Sequence, residues 1–164
     1  MLKRVCLYLN EGGYNMRIWF VFLLFFVSAC ANSEDMTLFV QSQEDQTVYN
    51  EVPHVKAGDT FTIKWIHSVE KTPWREVYQL TGEGELLLIE TAFQSFGAGV
   101  PHQKGTMTVE DGEVVIRDIN ETFTVFQWIH SQNVGFELEM NGKKIFDAED
   151  LPHHERMQIF IEKR

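Results

Sequence analysis

The stretch Thr60-Phe61-Thr62-Ile63-Lys64-Trp65-Ile66-His67 alternates side chains residue by residue, with Phe61, Ile63, Trp65 and His67 in one register. A β-strand turns successive side chains to opposite faces, so these four share a face and the run reads as a half-buried strand. Working outward, further short runs rich in β-branched and aromatic residues follow the same reading: MTLFV, EVYQL, ELLLIET, TMTVE, EVVIRDI, TFTVFQWIH, GFELEM, KKIFDA and MQIFIE. No window of ten or more residues carries a helical stripe. Asp111-Gly112, between TMTVE and EVVI, and Asn141-Gly142, between FELEM and KKIF, supply the positive φ angles of type I′ hairpin turns. The expected fold is all-β: an antiparallel β-sandwich or partly open barrel of about 8–10 short strands. Glu149–Arg156 breaks the pattern and reads as a loop or short helical turn.

The word WIHS occurs twice, as Trp65–Ser68 and Trp128–Ser131. In the second copy Phe126, Trp128 and His130 share a register, while Phe123 and Val125 are one residue out of phase. A β-bulge near Val125-Phe126 would absorb that extra residue. Both histidines then continue a Trp-bearing face at a strand end.

Of the 164 residues, the first part reads as a targeting segment. Met16-Arg17, the apolar run IWFVFLLFF and Val27-Ser28-Ala29-Cys30 have the basic start, apolar centre and small-residue exit of a signal peptide. The apolar centre is shorter than the roughly 20 residues a membrane-spanning helix needs. The residues VSAC resemble a bacterial lipobox, whose Cys thiolate accepts a diacylglyceryl group. The expected organisation is a signal peptide over 1–29, a lipidated Cys30 with its tether over 30–35, and a single all-β domain over 36–164. Residues 1–15 read as an extension in front of a true start at Met16, because Glu11-Gly12-Gly13 can be encoded by a ribosome-binding sequence. The expected location is the cell membrane, lipid-anchored on its extracytoplasmic face.

The chain carries a net charge of −10, and residues 30–164 hold 11 basic against 23 acidic side chains. Such a surface repels phosphate backbones, which argues against nucleic acid as a partner. The two cysteines are Cys6 and Cys30, so the expected folded domain has no thiol for a disulfide, a Cys-ligated zinc or cysteine catalysis.

Two stretches can carry chemistry. Ile66–Glu76 leads from a strand into a loop with His67, Ser68, Glu70, Lys71, Pro73, Arg75 and Glu76, enough polar groups for a site at the mouth of a sandwich. Ser95–His102 is SFGAGVPH, where Gly97 and Gly99 permit unusual backbone angles or close approach of a ligand, without the spacing of a phosphate loop. Against both stands the plain structural reading, in which strand-end histidines are satisfied core-edge groups and a Gly-rich run is a tight turn. Neither metal-ligand spacing of the H-E-x-x-H kind nor a G-x-S-x-G nucleophile is present, so no cofactor or metal is expected.

The combination WIHSVEKTPWREVY followed by ELLLIETAFQSFGAGVP resembles the eighteen-fifty family of bacterial domains of unknown function. The resemblance is strongest over Phe61–Pro101. On the family's motifs it singles out His67, Ser68, Glu70, Pro73, Glu76, Phe96, Gly97, Gly99 and Pro101, with His130 added by the repeat alone. It also implies an association with tripartite ATP-independent periplasmic (TRAP) transporters of the TAXI type, hence partners among a permease and a solute-binding protein. The expected function is therefore a non-enzymatic, lipid-anchored accessory or ligand-binding component of such a transporter. Two alternatives stay open: a small hydrolase-like or metal-binding enzyme using His67 or His130 with Glu70 or Glu76, and an envelope assembly or docking protein.

Overall fold

Eleven strands occupy residues 35–94 and 104–163, the residues described by the computed structural model. They are β1 (Met36–Ser42), β2 (Val48–Val55), β3 (Thr60–Ile66), β4 (Pro73–Leu80), β5 (Leu86–Phe93), β6 (Thr106–Glu110), β7 (Glu113–Phe123), β8 (Val125–Ile129), β9 (Glu137–Met140), β10 (Lys143–Phe146) and β11 (Arg156–Lys163). They form a four-stranded sheet in the order β2-β1-β11-β8 and a seven-stranded sheet in the order β10-β9-β3-β4-β5-β7-β6. Every pairing is antiparallel. The fold is the expected sandwich rather than a closed barrel, with one strand more than expected. That strand is β2, at an edge, whose Pro53 and largely exposed side chains hide it from a search for alternation.

The inner faces pack Leu38, Val40, Met157 and Ile159 of the smaller sheet against Phe61, Ile63, Tyr78, Leu80, Leu86 and Phe93 of the larger one. Burying each such side chain contributes about 1.5–3 kcal/mol before conformational entropy is counted. On the opposite face of the larger sheet, oppositely charged cross-strand neighbours replace apolar contacts. Arg75 pairs with Glu113 and Glu90, Glu90 also takes Arg117, and Arg117 pairs with Glu110.

Both hairpin turns form as the dipeptides require, with φ of 49° and 84° at Asp111-Gly112 and 50° and 76° at Asn141-Gly142. A Cβ on Gly142 meets nothing within 4 Å, so only backbone strain opposes a side chain there. Gly142→Ala is expected to cost about 1 kcal/mol in urea unfolding. Gly82→Ala, equally unobstructed but outside the left-handed region, should cost nothing measurable.

The phase shift before the second WIHS has a different cause from the expected bulge. Phe123 ends β7 in the seven-stranded sheet, paired with Leu86, whereas Val125 starts β8 in the four-stranded sheet, paired with Phe160. The chain changes sheets at Thr124. A genuine irregularity lies earlier, where Asp118 and Asn120 take φ of 59° and 52° and the β5–β7 register slips between Leu88 and Glu90. The segment after β10 contains a short 3-10 turn, Ala148–Asp150, capped by Asp147.

Candidate functional site

In an antiparallel pair, directly opposed residues project to the same side. Trp65 opposes Trp74, Ile63 opposes Glu76 and Phe61 opposes Tyr78, so Trp74, Glu76 and Tyr78 all turn into the sandwich while Arg75 turns away to its salt bridges. A carboxyl is thereby placed among core side chains. Glu76 Oε2 accepts a hydrogen bond of 2.7 Å from the Tyr78 hydroxyl. Loss of hydration raises the Glu76 carboxyl above its ordinary value, and the Tyr78 and Trp74 donors oppose the rise. The same burial beside Glu76 pushes the Tyr78 phenol far up, so it stays protonated and keeps donating.

β8, an edge strand of the smaller sheet, and β4 of the larger one together line a side opening of the sandwich. One cleft there, of about 430 Å³, is walled by Trp65, Trp74 and Phe136 and reached by His67, Ser68 and Glu76. Trp74 is 5% exposed, yet its Nε1–H is buried without a hydrogen-bond acceptor. Its pull on the Glu76 carboxyl is electrostatic and falls short of a hydrogen bond. A buried donor left unpaired costs about 1–3 kcal/mol, so a ligand acceptor that reached this N–H would be held there.

His67 stacks on Trp74 with ring centroids 5.6 Å apart. The hairpin loop turns tightly through Lys71, at φ 57°, and closes with His67 N–H donating to the Thr72 carbonyl. His67 Nδ1 accepts the backbone N–H of Glu70 at 3.2 Å, which leaves the ring proton on Nε2. The Glu70 contact to His67 thus comes from its backbone. Pro73 opens β4 opposite Ile66 and lies outside this cleft.

The fold does bring the two WIHS strand ends together, since Ile129 and Ser131 line the same cleft as His67 and Ser68. His130 itself points inward and is fully buried. Its Nδ1 accepts the Trp128 indole N–H at 3.3 Å, and its Nε2–H donates to the Ala148 carbonyl at 2.9 Å. Both ring nitrogens are committed to the core, so the ring does not reach the cleft. Phe96, Gly97, Gly99 and Pro101 lie outside the described residues, as does Cys30. No group of three or more His, Cys, Asp or Glu side chains among the described residues is arranged to hold a metal.

The model of a domain of unknown function, DUF1850, matches residues 61–146, just over half of the chain. The chain belongs to this family. The match runs from β3 to β10 and so contains every described residue of the cleft in this DUF1850 domain. No curated protein matches the chain. No solved structure matches it. The residues that sequence reasoning missed are Trp74 and Tyr78. Their signal was the spacing Trp74-x-Glu76-x-Tyr78, which puts an indole, a carboxyl and a phenol on one strand face.

Proposed function

We propose that this chain is a non-enzymatic ligand-binding or accessory component of a TRAP-type solute transporter, held by a lipid on Cys30 at the extracytoplasmic face of the membrane. The cleft at His67, Trp74 and Glu76 is its ligand seat. The observation that carries the binding reading is the buried, unpaired Trp74 N–H in an aromatic cleft that also offers a His67 N–H and the Ser68 and Ser131 hydroxyls. Such a wall favours a small ligand with an acceptor end, a carboxylate or carbonyl, and an apolar body. Binding is favoured over catalysis because the one His67 hydrogen bond to Glu70 comes from a backbone N–H. Neither the Ser68 nor the Ser131 hydroxyl of the cleft is hydrogen-bonded to a histidine among the described residues.

Thermal-shift screening against small carboxylates, amino acids and divalent metal ions tests this. A ligand at one hundred times its Kd stabilises by about 2.7 kcal/mol, a rise of several degrees in Tm. The shift should be lost in His67→Ala and sharply reduced in Trp74→Phe. The latter deletes the unpaired donor together with part of a buried ring, so some ligand-free stability is lost as well and binding is compared on the fraction that remains folded. A panel without any response would remove the ligand-seat reading. The apolar rim of Ile66, Val69 and Ile129, of which Val69 is 76% exposed, favours docking as the second reading. Copurification with a permease, lost in Val69→Asp, would decide for it.

A further inference from the structure

Beyond Glu76 the side opening continues into a second compartment of about 400 Å³, separate from the cleft at His67. Its walls include Tyr78 from β4, Phe123 from the end of β7 and Phe126 from β8. Tyr78 meets Phe123 at 6.3 Å with ring planes 76° apart, and Phe126 at 5.7 Å with planes 66° apart. Rings set so steeply make a corner rather than a flat stack. Tyr78 is itself held by stacking on Phe61, with centroids 5.1 Å apart.

Besides the Tyr78 hydroxyl, the polar groups of this compartment are Glu76, Thr91, Glu121 and Gln127, and among the described residues no Lys or Arg lines it. Glu76, short of water, accepts a hydrogen bond from the neutral Tyr78 phenol and has no ion pair with Lys or Arg among the described residues. Glu121 touches one cation, Lys104 Nζ at 3.0 Å, whose side chain is largely in solvent. A pair so exposed is held weakly and exchanges readily for another cation. Aromatic faces and carboxylates together are the chemistry that holds a large, weakly hydrated cation: the rings supply negative faces and the carboxylates supply net charge.

We propose that the compartment bounded by Glu76, Tyr78, Glu121, Phe123 and Phe126 is a binding site for an organic ammonium ion, quaternary or methylated. The site shares only Glu76 with the cleft described above and stands or falls separately from it.

The test is calorimetric titration of the folded chain with choline and tetramethylammonium chlorides, against 3,3-dimethylbutan-1-ol as a neutral isostere of choline and sodium chloride at matched ionic strength. Choline should bind saturably, with the isostere at least about tenfold weaker. Phe126→Leu and Phe123→Leu should each weaken choline by about fivefold or more, while His67→Ala leaves it unchanged. Circular dichroism and Tm identify any variant that fails to fold, and two separate ring variants keep the test open if one does. Equal binding of choline and its isostere, a response matched by sodium, or choline binding indifferent to both Phe substitutions would each overturn the site. Loss of choline binding in His67→Ala would assign the cation to the neighbouring cleft and also overturn it.

Discussion

His130→Ala is expected to destabilise the domain by about 3–5 kcal/mol and to lower Tm by more than about 10 °C. The substitution strands the Trp128 indole N–H and the Ala148 carbonyl, both bonded through the imidazole, and opens a void beside Trp128. Each buried group left unpaired costs about 1–3 kcal/mol and the void adds to it. Trp128 also stacks on Phe136 and Phe146, so slack at its N–H end is passed to the aromatic core. His67→Ala, at the corresponding position of the other WIHS copy, should cost under about 1 kcal/mol, because its ring is part-exposed and bonds one backbone N–H. Chemical denaturation of both variants measures the difference. Equal costs would refute the assignment of one histidine to the core and the other to the cleft.

The second large effect concerns Glu76 and Tyr78. Tyr78→Phe removes the 2.7 Å hydrogen bond to a desolvated carboxyl and should cost about 1.5–3 kcal/mol at pH 8, the range for bonds to charged groups. The pH dependence follows from the direction of the Glu76 shift. Its folded value lies above the unfolded one, so across the window between them the folded state binds more protons. Stability contributed through this group is therefore full below the unfolded value, near 4.5, falls as pH rises through the window, and levels off above the raised folded value. Glu76→Gln keeps an acceptor for the Tyr78 hydroxyl and removes the titration. It should raise stability at pH 8, leave it little changed at pH 4, and flatten the profile between. A profile identical to that of the parent protein would show that Glu76 is not desolvated as described.

How far the fold could be read from the chain depends on the element. The alternation at Phe61, Ile63 and Trp65 and the two turn dipeptides were enough to place β3, β6, β7, β9 and β10, because local patterning and turn chemistry act on neighbouring residues. β2 was illegible because an edge strand with one buried residue leaves no period. Within the site, His67, Ser68 and Glu76 were legible as a polar run. The sides they occupy depend on which strands oppose them. The two WIHS copies look alike and diverge because the first opens a hairpin loop, while the second pairs with β11 and runs under the turn at Ala148, where Trp128 and the Ala148 carbonyl hold the ring. Phe123 and Phe126 could not be paired from their odd spacing, since only the change of sheet between them brings both to one compartment.

That change of sheet gives Thr124 the standing of a phase marker for everything after it. Side chains on either side of it are counted in opposite parity, and one residue is all the slack the crossing has. Deleting Thr124 would offer the core Ile129 and Ser131 where Trp128 and His130 now sit, a single lost codon inverting the inside and outside of β8. The extra residue in the second WIHS approach is thus the unit that lets one continuous run of chain serve two sheets.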